Sequence, residues 1–225
     1  MIVCHELKLI FLKTKKTSGT SLEIALAGHC GPGCIITPIL ALDEATRTGL
    51  GYRAPQNYKA KGLGRFFFPS RKAFGKHMPA DQVRAKLPTG IWRDYRSFTI
   101  VRNPYDRAIS RYFWDVKLGR TNCLGFEDFF VRSQDRLMEN MRIAPLSGPN
   151  ALDVYLRYEN LQEDLEANDL GFLWQVYQGL SAKSGHRPAS GATPSEMYSA
   201  HPKVAQIIAE TCHSEIERFG YEPPI

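Results

Sequence analysis

The segment Leu7-Lys8-Leu9-Ile10-Phe11-Leu12-Lys13-Thr14-Lys15-Lys16-Thr17-Ser18-Gly19-Thr20-Ser21-Leu22-Glu23 constrains the fold most. A short apolar run passes into a loop of lysines, hydroxyls and one glycine, which then opens a helix. A strand–loop–helix of this composition is built to hold an anion. Backbone N–H groups and the positive end of the helix dipole face the ligand, with ammonium groups beside them. The alternative reading is a lysine-rich strand end in which Thr20 or Ser21 simply caps a helix. A Walker A loop is excluded, because Lys15 and Lys16 precede Gly19, whereas that motif places its lysine after the glycines.

A second unit of the same kind begins at Phe98-Thr99-Ile100-Val101-Arg102-Asn103-Pro104. The β-branched run ends at Arg102, Asn103 is a favourable N-cap, and Pro104 suits the first helical position. Ala108, Ile109, Tyr112, Phe113 and Val116 keep helical spacing, which predicts a face packed on a sheet. Arg102 at the strand end and Ser110 on the helix are placed to converge on one phosphate, the arginine as a fork and the serine as a neutral donor.

Taken together these residues resemble the sulfotransferases that use 3′-phosphoadenosine 5′-phosphosulfate (PAPS). Lys16-Thr17-Ser18-Gly19-Thr20-Ser21 resembles the 5′-phosphosulfate loop of that superfamily, usually Pro-Lys-Thr-Gly-Gly-Thr-Ser. Lys15 stands here for the proline and Ser18 for a glycine. Arg102 through Ser110 resembles its 3′-phosphate motif, an Arg and a Ser eight positions apart. Tyr155-Leu156-Arg157-Tyr158-Glu159-Asn160-Leu161 and the ending Phe219-Gly220-Tyr221 are also similar to superfamily segments. The likeness spans most of the chain and is nearest to the carbohydrate branch that includes heparan sulfate 2-O-sulfotransferase.

The resemblance implies a P-loop-NTPase-like α/β fold, with a mostly parallel central sheet and helices on both faces. Strands are expected near 7–13, 97–102 and 153–158. It implies PAPS as co-substrate, held by Lys15, Lys16, Thr17, Ser18, Gly19, Thr20, Ser21, Arg102 and Ser110. Arg187, in the basic stretch Lys183-Ser184-Gly185-His186-Arg187-Pro188, joins them because related enzymes close a basic loop over the nucleotide near there. Lys16 takes the catalytic role, since the hydroxyl–glycine register aligns on it. His77 takes that of general base: Pro79 and Asp81 suit the first turn of a helix, which sets His77 just ahead of it. His29 is its rival, while His5, His201 and His213 compete poorly. No metal is expected in the transfer, because the lysine and the helix end supply the positive charge.

Composition agrees with a single enzyme domain over residues 1–225. The formal charge of +6 suits an anionic ligand. No zinc-finger spacing or RNP-type motif points to nucleic acid. The apolar run at 7–12 is too short to span a membrane, and no signal peptide is evident, so a cytoplasmic enzyme is expected. The five cysteines, Cys4, Cys30, Cys34, Cys123 and Cys212, read as free thiols. Cys30 and Cys34 with His29 invite a metal or disulfide reading, but no second ligand pair is evident, so the segment reads as a glycine-rich turn. Basic residues of the long loop, Arg53, Lys59, Lys61, Arg65, Arg71 and Lys72, are candidates to hold an anionic acceptor, and Phe66-Phe67-Phe68 reads as core or interface. Arg157 and Glu159 read as a buried pair, and Ala200–Phe219 as one amphipathic packing helix. The expected activity is transfer of the sulfuryl group of PAPS to a carbohydrate hydroxyl. The alternatives are a small metabolite or phenol as acceptor, and a noncatalytic nucleotide- or polyanion-binding domain.

Overall fold

Alternation at the start of the chain builds the centre of the sheet. In the structure, a computed structural model describing residues 1–59, 73–122, 124–180, 187–188, 190 and 192–224, Ile2, Cys4, Leu9 and Phe11 enter one core and Met1, Val3, Ile10 and Leu12 the other. That is the period-two pattern of a strand buried on both faces. β1 (Ile2–Cys4) and β2 (Leu9–Phe11) form an antiparallel hairpin with Val3 opposite Ile10. Its turn uses Lys8 in the left-handed region at φ 52°.

β3 (Ile35–Ile36) pairs antiparallel with β1, whereas β4 (Arg96–Val101) and β5 (Val154–Arg157) extend the sheet in parallel from β2. The order is β3-β1-β2-β4-β5. The expected strands near 97–102 and 153–158 are thus present, but the strand expected at 7–13 is shorter. The expectation of a mostly parallel sheet is corrected to a mixed one. The cause is the short link between β1 and β2, which leaves no room for the crossover that a parallel pair needs.

Helices cover both faces. Gly19–Ala27 and Leu161–Ala167 pack on the Phe11/Phe98/Leu156 side, and Ala80–Lys86 on the Val3/Ile10 side. The helix Pro104–Lys117 begins as the sequence predicts, with the Asn103 side chain accepting from the Tyr105 N–H at 3.0 Å. Its apolar face does not lie on the sheet, however. Tyr105, Ala108 and Ile109 pack against the helices Phe126–Arg132, Pro194–Ala200 and Pro202–Thr211, and Val116 is exposed. The terminal helix is two, Pro202–Thr211 and His213–Phe219, because the chain leaves helical geometry at Cys212. Arg157 pairs with Asp164 at 2.6 Å, and Glu159 instead accepts the Asn103 N–H at 2.7 Å, so the expected Arg157–Glu159 pair does not form. Among the described residues no helix is long and apolar enough to cross a membrane.

β2 and β4 are adjacent and parallel, and β5 lies next to β4. The loops leaving their carboxyl ends therefore stand side by side, the edge where open α/β sheets place ligands.

Candidate active site

The loop after β2 is fixed from below. The Thr99 hydroxyl donates to the Leu12 carbonyl at 2.7 Å, and the Thr14 hydroxyl donates to the Ile100 carbonyl at 2.5 Å. Lys13 turns inward and meets Glu23 of the following helix at 2.6 Å, with both side chains buried. Burial alone would push the Glu23 carboxyl up; the Lys13 ammonium and the Met1 amine outweigh it and hold the group down at about 2. Lys13 is thereby committed to anchoring the loop.

Above this anchor the backbone alternates. Lys16 has φ 62° and Ser18 φ 61°, whereas Thr17 between them is not left-handed. Left-handed residues that alternate with right-handed ones turn successive N–H groups toward one side, as in anion-binding concavities. Each left-handed non-glycine residue costs about 1–2 kcal/mol, and strain of this kind concentrates at functional loops. Ser18 thus adopts a left-handed conformation that glycine takes most readily. It starts the Gly19–Ala27 helix without a side-chain capping bond, and its hydroxyl pairs with Tyr177. A Cβ at Gly19 would lie 3.1 Å from Lys13 Cγ, so the Lys13 side chain would have to give by a few tenths of an ångström.

The two adjacent lysines differ in place. Lys15 is drawn to Glu139 at 2.9 Å, and its backbone is bracketed by the Asn140 amide at 2.8 and 3.0 Å. Lys16 places Nζ 4.6 Å from the centre of the Trp114 ring, and its carbonyl accepts from Arg102 at 3.1 Å. Thr17 and Ser21 are turned into packing: the Thr17 hydroxyl meets that of Thr14, and Ser21 Oγ donates to the Leu180 carbonyl at 3.4 Å.

Arg102 links the second unit to the first. Its Nε donates to Asp106 at 2.6 Å, and its guanidinium stacks 4.4 Å from the Tyr158 ring centre. Arg187 donates to the other oxygen of the same carboxylate at 2.5 Å and to the Asp106 carbonyl at 2.7 Å. One carboxylate therefore holds two guanidiniums beside each other, next to the buried Ser110. Asp106, Ser110 and Trp114 recur every four residues and line one stripe of the helix.

His77 reaches the site from the segment before Ala80–Lys86. Its Nδ1 lies 2.8 Å from the Lys13 carbonyl, which can only accept, so Nδ1 carries the proton and Nε2 keeps its lone pair. Burial lowers its pKa from 6.5 to about 3, and the Lys13 and Lys76 charges add to that shift. The ring is neutral at pH 7.

Lys15, Lys16, Ser18, Gly19, Thr20, His77, Arg102, Ser110 and Arg187 all border a single cleft of about 750 Å³. Lys13, Lys76, Arg111 and Arg120 add further cations to its described walls, where Asp115 is the acidic residue. His29 lies elsewhere, its ring 4.8 Å from Phe172 beyond the far end of the Gly19–Ala27 helix. His5 contacts Tyr95, His201 contacts Phe126, and His213 contacts Glu217. Arg53 donates to the Cys30 carbonyl and Lys59 lies near Tyr58, neither on the described cleft wall. Lys61, Arg65, Phe66-Phe67-Phe68, Arg71, Lys72, Cys123 and residues 183–186 lie outside the described residues. Sequence reasoning missed Asp106, Trp114 and Tyr158 as parts of the site; the four-residue spacing from Arg102 through Trp114 was the available clue to the first two. No family model, curated protein or solved structure matches the chain.

Proposed function

We propose that the chain is a PAPS-dependent O-sulfotransferase acting on a carbohydrate hydroxyl, with the P-loop-like sulfotransferase fold to which its motifs point. One observation carries this reading: the strained lysine loop, the Arg102–Asp106–Arg187 cluster and the neutral His77 border one cationic cleft. The loop suits the 5′-phosphosulfate, and the paired guanidiniums with Ser110 suit the 3′-phosphate.

In the reaction the acceptor oxygen attacks sulfur in line with the departing 5′-phosphate oxygen. The new S–O bond forms as the old one breaks, and adenosine 3′,5′-bisphosphate leaves. Lys16 and the loop N–H groups stabilise the negative charge that grows on the bridging oxygen. His77 Nε2 takes the hydroxyl proton, oriented by the Nδ1 bond to Lys13. The anionic donor beside His77 raises its proton affinity above that of the empty cleft, toward the range in which a general base works. Lys15, pulled toward Glu139, contributes charge rather than contact with the bridging oxygen.

Sulfur-labelled PAPS incubated with desulfated polysaccharides and with simple phenols tests the activity. The label is expected on the polysaccharide, with one bisphosphate released per transfer. Bisphosphate binding without transfer to any hydroxyl would leave only the noncatalytic reading.

A further inference from the structure

The fold gathers three cysteines that are dispersed in sequence. Cys4 ends β1, Cys30 follows the Gly19–Ala27 helix, and Cys34 precedes β3. All three are buried free thiols, and their sulfur atoms lie within 4.8 Å of one another. A fourth group stands beside two of the three thiols, outside the cluster itself. Glu6, on the turn between β1 and β2, brings Oε2 to 2.6 Å from Cys34 Sγ and 3.8 Å from Cys4 Sγ.

We propose that Cys4, Cys30, Cys34 and Glu6 form a structural zinc site. Zinc bound by thiolates at about 2.3 Å in a tetrahedron sets the sulfurs about 3.8 Å apart, within a small inward movement of the arrangement present. Three soft thiolates with one carboxylate suit zinc, whereas magnesium and calcium take oxygen sets and an iron–sulfur cluster takes four cysteines. A disulfide between any two would strand the third thiol and leave Glu6 without a purpose.

The surroundings are those of a built site. The His5 N–H donates to Cys34 Sγ at 3.2 Å, and the Gly31 N–H bonds the Glu6 carboxylate. Gly31 is where Glu6 packs: a Cβ there would lie 1.8 Å from Oε1. The Gln56 amide donates to the Gly31 and Cys34 carbonyls at 2.6 and 3.1 Å and so holds the turn that carries two ligands. Outer-shell bonds of this kind orient metal ligands.

The site has a structural purpose apart from the cleft. It lies at the other end of the Gly19–Ala27 helix from the lysine loop, a separation of about 14 Å for nine residues. β1, β2 and β3 span three, three and two residues, and strands so short need outside support. A metal there would tie the hairpin turn to the connection entering β3. With Glu6 swung onto the ion, four protein ligands would make it a closed site, without an open position for substrate.

Metal analysis of the full chain, purified under reductant without added metal, followed by cobalt(II) substitution, tests the assignment. About one zinc per chain is expected, together with the intense visible bands of tetrahedral thiolate-bound cobalt. Cys30→Ser and Cys34→Ser should each lose the metal. Glu6 is exposed, so Glu6→Ala should fold normally, shift the cobalt spectrum and weaken metal binding about 10-fold or more. Substoichiometric zinc with no tetrahedral cobalt spectrum would overturn the proposal, as would cobalt binding that survives Cys30→Ser/Cys34→Ser. A Glu6→Ala protein with unchanged spectrum and affinity would remove Glu6 from the ligand set.

Discussion

Replacing His77 with asparagine tests the electrostatics of the cleft independently of any substrate. Asparagine retains a donor at the place of Nδ1, so the bond to the Lys13 carbonyl survives while the titrating ring is lost. The wild-type ring has its pKa lowered from 6.5 to about 3. Between those values the unfolded chain binds the proton and the folded chain refuses it, so stability falls as pH falls through that window. Linkage between pH 7 and pH 5 gives a loss of about 2 kcal/mol from this residue alone. Glu23 and Glu6, both held near 2, lose their contributions only below about pH 4.5, and the Met1 amine, lowered by burial to about 6, titrates in both proteins alike. Urea unfolding of both proteins at the two pH values reads the difference, and every other titrating group cancels in the comparison. The wild type should lose about 2 kcal/mol more than His77→Asn. Equal losses would show that His77 is not held neutral by burial, and would remove the physical basis for its role as base.

Lys16→Ala should lower turnover about 100- to 1,000-fold with folding intact, as loss of one preorganised positive group at a developing anion does; near-normal turnover in a PAPS assay would move the role to Lys15. Arg102→Ala should weaken binding of 3′-phosphorylated nucleotides far more than that of AMP, and equal weakening by calorimetry would cancel the 3′-phosphate assignment. Glu23→Gln leaves the buried Lys13 without its partner and should cost about 3–5 kcal/mol in urea unfolding; a change below about 1 kcal/mol would show that the ion pair does not anchor the loop.

The parallel half of the sheet and both of its loops were legible because β4 and β5 are rich in β-branched and aromatic residues, and because Asn103-Pro104 marks a helix start by its own chemistry. The β1–β2 hairpin was not, since Ile2-Val3-Cys4 is too short to show alternation. Its turn also carries Lys8 rather than glycine or asparagine at the left-handed position. The partners of Arg157 and Glu159 were misread for a related reason: β5 ends at Arg157 and the chain turns through Tyr158–Asn160, so the two residues do not share a strand face and each finds its partner elsewhere. The composition of the cleft was largely visible, but its wiring was not. Nothing in the spacing says that Asp106 joins Arg102 to Arg187, or that Lys13 is withdrawn to Glu23 while Lys16 is not. The thiol cluster escaped for the same reason, because Cys4 and Glu6 reach Cys30 and Cys34 only through the hairpin.

Calorimetric titration with adenosine 3′,5′-bisphosphate, AMP and ATP at one fixed, moderate salt concentration tests the central claim most directly. The account predicts tight binding of the bisphosphate and much weaker binding of the other two, because only the bisphosphate fills both the lysine loop and the Arg102–Arg187 pocket. Equal affinity for all three, collapsing together as salt is raised, would contradict it and reduce the cleft to a basic surface.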